Sequence, residues 1–370
     1  MKYTRMPIER ESPEEFGYGR IKNNLSESSI RDLSLAQLGI DLSDLTLFYG
    51  SHRGDSRLRE QIALFSGVAP EQVLVTAGAA GALFIVASSL LERGDHIVVM
   101  RPNYATNLAT PQAIGCNISH VDVAFSNGFR LDIDAVAAAI QPTTKLLSVT
   151  CPHNPTGTVL PEADLRRLVA LAEQHGCRLL VDETYRDMTY GPALPSAASL
   201  APCAISVSSM SKSYGVPGIR VGWVTTRDPL LYETLLAAKE QIGICGSVID
   251  EAIAAQVLEQ RDERLAETRV RIAQRLAIVR EWVAREPLVD WVEPAGGVVC
   301  LPRLTGLIGR DMQRFHRRLL SDYGTYVGPG HWFDMPPQFV RLGFDWPTEA
   351  QLRSGLAGIS GAMAAELAAG

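Results

Sequence analysis

Several signatures are missing from this sequence, and each absence narrows what the chain can be. Its six cysteines form no C-x-x-C pair, and its seven histidines complete no metal-ligand spacing. The cysteines therefore read as free thiols of a reducing compartment, and the expectation is a cytoplasmic protein with no metal. Positive charge is not in excess: 35 Lys and Arg stand against 41 Asp and Glu, a net charge of −6. That balance argues against nucleic acid or an anionic membrane as partner, although a local pocket can still be positive. No basic stretch followed by an apolar run opens the chain, so no secretory leader is expected.

Long apolar runs are also scarce. One stretch, "VLVTAGAAGALFIVASSLL" over 73–91, carries no charge for nineteen residues, close to the length of a membrane span. Thr76-Ala77-Gly78 interrupts it, with β-branched residues before the break and alanines and leucines after. The pattern is that of a strand, a tight turn and a buried helix.

From about 70 to 230, short apolar runs alternate with helical patterns. "QVLVT", "HIVVM", "KLLSVT", "CRLLVDE", "AISVSS" and "RVGWVTT" read as buried strands. "PEADLRRLVALAEQHG" reads as a helix, with Pro161 at its start and Gly176 as its stop. Such alternation implies a mainly parallel sheet covered by helices on both faces. Beyond 245, Leu265, Ile272, Leu276, Val279 and Val283 recur at helical spacing among arginines, giving one long amphipathic helix. "GGVVCLPRL", "TYVGPG" and "FVRLGF" read as short strands. The first 45 residues look polar and irregular. The expected division is an N-terminal segment 1–45, a large domain 46–262 and a smaller domain 263–370.

Chemistry-bearing residues gather at the expected strand ends, where open α/β sheets bind ligands. Gly78, Ala79 and Ala80 lie between a strand and a helix start, where small residues let backbone N–H groups approach a phosphate. A close-packed turn would need the same residues. Asn154 sits in a Pro- and Gly-rich turn, which such turn formers alone would also explain. Asp182 ends the run "LLVD" where burial begins, so it needs a cationic partner or a proton. Lys212 stands among four serines in "SSMSKSYG", followed by Arg220. A lysine that forms a Schiff base must lose its proton, and burial or a nearby cation lowers its pKa. Arg220 stays charged and can grip a phosphate, with Ser209 and Ser211 adding hydroxyls.

The order of these pieces carries more than any one of them. "YGSHRGDSRLRE", "TAGAAGAL", "RPNYA", "NPTG", "VDETY", "SMSKSYGVPGIRVGW" and "FVRLGF" follow one another as in the class I/II aminotransferases dependent on pyridoxal 5′-phosphate (PLP), which this chain resembles from about Tyr49 onward. The resemblance implies the fold-type I architecture: a mainly parallel seven-stranded sheet with helices on both faces, plus a smaller α/β domain. It implies that Lys212 bonds to the cofactor and then shuttles a proton. It further implies that Asp182 pairs with the pyridinium nitrogen and that Tyr185 and Asn154 bond the phenolic oxygen. Tyr104 would stack on the ring. Gly78, Ala79, Ala80, Ser209, Ser211 and Arg220 would form the phosphate site, joined by Tyr49 from the second subunit of a homodimer. Arg341 would take the substrate α-carboxylate.

The shared residues do not choose among PLP reactions. Transamination between an L-amino acid and a 2-oxo acid is the first expectation. "SKSYGVPGIRVGW", "GGVVCLPRL" and "GPGHWF" also look similar to capreomycidine-synthase-like enzymes, so elimination with ring closure, or oxidation, of arginine or a hydroxyarginine is the alternative. A PLP-binding module of a transcription regulator would need a DNA-binding segment ahead of the fold, and the acidic N-terminal stretch does not suit one. Glu27 stands where the family usually has a glycine-containing stretch near the substrate. With Asp32 and Asp187 it is a candidate to face a cationic, guanidinium-like side chain.

Overall fold

The computed structural model describes residues 1–369. Strand β1 (Asn23–Asn24) lies apart from the main sheet. That sheet has seven strands: β2 (Val73–Ala77), β3 (His96–Arg101), β4 (Asn117–Asp122), β5 (Thr144–Thr150), β6 (Arg178–Asp182), β7 (Ala204–Ser209) and β8 (Val221–Thr226). They are ordered β2-β8-β7-β6-β5-β3-β4. All six expected runs are strands. The seventh, β4 ("NISHVD"), is a polar edge strand with Val121 as its buried residue, so no apolar run marks it.

Successive side chains of a strand point to opposite faces, and both faces of this sheet are covered. On β3, Ile97 and Val99 enter one core cluster while Val98 and Met100 enter another. That double burial is why the strands read as unbroken apolar runs rather than alternating ones. The charge-free stretch 73–91 resolves into β2 and the helix Gly78–Leu90. No helix of the described residues is long and apolar enough to cross a membrane.

All neighbouring pairs are parallel except those of β8, which runs antiparallel to both β2 and β7. This reversal brings the start of β8 to the edge where the other strands end. Val221 pairs with Ala77 at the end of β2, and Gly222 pairs with Ser209 at the end of β7. Arg220 is thereby delivered beside the helix start at Gly78.

The long helix spans Arg261–Arg285, with Leu265, Ile272, Leu276 and Val279 buried as their spacing requires and Val283 packed at the margin. Beyond it lie short strands β9 (Val289–Asp290), β10 (Val299–Cys300), β11 (Arg303–Leu304), β12 (Thr325–Tyr326), β13 (Gly328–Pro329) and β14 (Val340–Gly343), then the helix Glu349–Ala368. Their apolar residues form a third core that also takes in Leu25 and Ile30. The N-terminal stretch is more regular than its composition suggests. It holds helical turns at Pro7–Arg10, Pro13–Phe16 and Leu35–Leu38, and β1 pairs with β12. Proline opens the first two turns, where a missing N–H costs nothing.

Candidate active site

One cavity opens at the carboxyl ends of the parallel strands. Ala79, Ala80, Tyr104, Asn154, Asp182, Tyr185, Ser209, Ser211, Lys212, Arg220, Glu27 and Arg341 all line it. The parallel strands, the reversed β8 and β14 bring twelve residues separated by up to 314 positions to one place.

At one end is a cradle with the character of an anion site. The helix Gly78–Leu90 begins after Ala77, whose side chain cannot cap, so its first amides have no side-chain acceptor there. Gly78 has φ +70°, and a Cβ on it would meet Arg220 Nη2 at 2.5 Å. A Cβ on Gly222 would stand 2.4 Å from the Gly78 carbonyl carbon. Both glycines are therefore required by the close packing of β8 and Arg220 against this turn. Arg220 itself sits at φ +49°, a strained conformation for a residue with a Cβ. Its Nη1 donates to Pro217 O (2.8 Å) and Ser211 Oγ (3.4 Å). Ser209 Oγ accepts from the Ser211 amide at 3.3 Å.

At the floor, Lys212 follows the end of β7 in the short helix Met210–Ser213. Its Nζ makes no hydrogen bond among the described residues. Burial lowers its pKa, against the pull of the Glu27 carboxylate; Arg341 and Arg220 lower it further. Asp182, 4% exposed, ends β6. Thr184 donates to its Oδ1 through N–H (3.1 Å) and Oγ1 (2.6 Å). It has no ion-pair partner among the described residues, and burial raises its pKa despite those bonds. A buried carboxylate without a cation suits a ligand that brings one.

Arg341, on β14, is 3% exposed and stacks on Phe333, with ring centroid 5.0 Å from Cζ. Its Nη1 donates to Asn154 Oδ1 (3.1 Å) and its Nη2 to Ser26 O (2.6 Å). Its Nε has no partner. A buried guanidinium with a donor to spare is matched by an incoming carboxylate. Burial pushes the Tyr185 hydroxyl up to about 12, so it stays protonated and can donate.

The chemistry of this donor set fits PLP: an uncapped helix start with Arg220 for a phosphate, an amine for an aldehyde, and a buried carboxylate for a pyridinium. The geometry defines a fold-type I PLP enzyme. The family model "Aminotransferase class I and II" matches residues 22–359. Capreomycidine synthase of Streptomyces vinaceus is 30% identical over 342 residues, covering 91% of this chain and 87% of that protein. Arginine–pyruvate transaminase of Pseudomonas aeruginosa is 35% identical over 312 residues, covering 80% and 77%. A PLP-dependent aminotransferase from Streptococcus suis superposes with a TM-score of 0.91 at 30% identity, covering 99% of each chain. The chain belongs to the class I and II aminotransferases, and its cofactor is pyridoxal 5′-phosphate.

Four sequence expectations fall outside the cavity lining: Gly78, which packs against Arg220, and Asp187, Asp32 and Tyr49. Asp187 is turned away by the turn Arg186–Met188 and is held by Arg261 Nη2 (2.6 Å) and Tyr214 OH (2.5 Å). Asp32 accepts from Trp346 Nε1 at 2.9 Å and does not line the cavity. Neither can face a substrate there. Tyr49 is 83% exposed and lies outside the cavity of its own chain. Sequence reasoning missed Glu9 and Glu14, which line the wall from the helical turns Pro7–Arg10 and Pro13–Phe16. Their signal was the Pro-Ile-Glu and Pro-Glu-Glu openings, which mark helix starts. Tyr104 OH donates to Glu9 Oε1 at 3.3 Å, so this wall bears directly on Tyr104.

The wall is pinned from behind at Gly343. An added Cβ there would stand 1.7 Å from Glu27 O. Gly343→Ala should therefore push residues 25–27 away from β14, at a cost of about 1–3 kcal/mol in unfolding free energy. It should also raise KM, because Ser26 O is an Arg341 partner. A denaturant titration and initial-rate kinetics check both effects.

Proposed function

We propose that the protein transfers the amino group of an L-amino acid to a 2-oxo acid, with the roles at the site as follows. The observation that carries this reading is the meeting in one cavity of Lys212, Asp182, Arg220 and Arg341. PLP, when bound, supplies an electrophilic aldehyde and a ring that accepts the electron pair left at the substrate α-carbon. Arg220, the first amides of the helix Gly78–Leu90, Ser209 and Ser211 hold its phosphate. Lys212, whose pKa burial lowers, would be the residue that holds the cofactor through its aldehyde, and its Nζ would be the group placed to move the substrate α-proton. Asp182 would be the carboxylate that faces the ring nitrogen and holds its proton in place. Tyr104 covers the ring, Tyr185 and Asn154 bond its phenolic oxygen, and Arg341 orients the substrate carboxylate. Steady-state turnover of an amino acid with a 2-oxo acid, with the keto acid identified by mass spectrometry, tests the reaction. Water loss with ring closure would instead support the second reading, a lyase or cyclase, which the 30% identity to capreomycidine synthase over most of both chains favours.

The active unit in this reading is a homodimer. Exposed Leu47, Phe48 and Tyr49 precede Gly50, where a Cβ would stand 3.2 Å from Val248 Cγ1, and Ile242, Ile244 and Ile249 are exposed nearby in sequence to that contact. Tyr49 would reach the phosphate of the partner's site. Mixing inactive Lys212→Ala and Tyr49→Phe chains under subunit exchange should restore part of the activity, since one hybrid site has both native residues. A fully active monomer at low concentration would exclude this. We also propose the division into 1–45, 46–262 and 263–370, supported by the separate core that β9–β14 share with Leu25 and Ile30.

A further inference from the structure

Resting on that reading of the site, we propose that Glu27 and Glu14 form a two-carboxylate clamp selecting an amino acid whose side chain ends in a guanidinium. Both residues line the active-site cavity from the N-terminal wall. Glu27 Oε1 accepts from Tyr18 OH (3.1 Å) and Asn24 Nδ2 (3.3 Å), while its Oε2 has no hydrogen-bond partner among the described residues. The Glu14 carboxylate makes no hydrogen bond or ion pair there at all. The third acid of the wall, Glu9, is already engaged by Tyr104.

Glu27 is held for a purpose that its own contacts do not exhaust. Tyr18, one of its donors, stacks on Trp346 with centroids 5.8 Å apart and an interplanar angle of 16°. Gly343 lets β14 pack on the Glu27 carbonyl, and the neighbouring Ser26 carbonyl is gripped by Arg341. The carboxylate is thus fixed in place with an oxygen left over.

A second, independent feature of the cavity points to a ligand that also carries a carboxylate. Arg341, fully buried with Nε unpartnered, asks for a carboxylate. The cavity therefore offers a cation for one end of a ligand and acids for another. Burial raises the Glu27 pKa and repulsion from the Glu14 charge raises it further, against the pull of Lys212 and Arg341. A planar cation with several N–H donors removes the repulsion and fills the unused oxygens. A neutral side chain of the same shape leaves the partly buried Glu27 oxygen unpaired, which discriminates against it.

The test titrates cofactor-loaded protein with L-arginine, L-citrulline and L-norleucine, following the cofactor absorbance. Citrulline carries a neutral urea in the shape of the guanidinium. Arginine should bind at least about 50-fold more tightly than citrulline. Glu27→Gln should remove most of that gap, and Glu14→Gln, on an exposed helical turn, about five- to tenfold of it, with citrulline affinity within about threefold of the parent in both. Equal affinity for all three amino acids in a loaded parent protein overturns the clamp alone. So does a Glu27→Gln protein that loses every amino acid equally with a displaced cofactor spectrum, which would mean that Glu27 only balances Lys212. A parent protein that takes up no cofactor overturns the clamp and the proposed reaction together.

Discussion

Replacing Lys212 with alanine should abolish covalent attachment of the cofactor and lower turnover by at least about a thousandfold. Two losses combine: the amine that bonds to the aldehyde and the base that moves the α-proton, the second alone contributing about 10²–10⁴-fold. Arg220, Ser209, Ser211 and the start of the helix Gly78–Leu90 remain in this variant, so PLP should still bind, though reversibly. The folded state should survive, because the Lys212 side chain makes no hydrogen bond among the described residues and its backbone carbonyl, which accepts from the Ile30 amide at 3.1 Å, is unchanged by the substitution. Borohydride treatment followed by peptide mapping checks the first half: the parent should carry the label on Lys212 and the variant should carry none. A label on another lysine would remove the basis of the proposed chemistry. Circular dichroism on the same samples separates loss of function from loss of fold.

Asp182→Asn should load with cofactor and react poorly, with kcat down about a hundredfold or more. Asparagine is nearly isosteric and can keep a bond to Thr184, whose hydroxyl now lies 2.6 Å from Asp182 Oδ1. What it cannot do is hold a proton on a ring nitrogen, because it carries no charge to stabilise that form. Removing one partner of a buried charge pair costs on the order of 3–5 kcal/mol, which corresponds to two to nearly four powers of ten in rate if it falls wholly on the transition state. The cofactor absorbance should also shift as the ring loses its proton, a change that a structural role for Asp182 would not produce. Activity within twofold of the parent would show that Asp182 has another job.

The parts of this molecule that the sequence announces are those set by local chemistry and burial. β3, β5, β6 and β7 read as apolar runs because both faces of the sheet are covered, and the motifs at their ends carry Asn154, Asp182 and Lys212 into the cavity. β4 is an edge strand with polar neighbours, so nothing in its pattern separates it from a loop. The helix starts that carry Glu9 and Glu14 are marked by their prolines, but the side on which these acids fall is not, for a related reason. Charged residues on one-turn helices normally face water, and only the return of the chain over the site makes them wall residues. Asp187 misled in the opposite direction: five positions from Asp182, it looked adjacent to the site. The turn after β6 instead directs it toward Arg261, whose guanidinium also lies 4.6 Å from the Phe65 ring centroid. Sequence distance is a poor guide to direction wherever the chain turns.

The pairing of β1 with β12 has a consequence for how the protein is made. Asn23 lies opposite Thr325, and its Nδ2 donates to Thr325 Oγ1 at 3.1 Å, across a separation of 302 residues. A chain emerging from the ribosome can assemble β2–β8, and with them the turn at Gly78, Arg220 and Lys212, while the N-terminal wall still has no strand to rest on. That wall must wait until residue 326 has been synthesised, although it is made before β2. Closing so long a loop is entropically costly and slow relative to local contacts. Substrate recognition is therefore the last property to mature, after the cofactor site, and C-terminal truncations that remove β12 should spare cofactor capture longer than amino-acid selectivity.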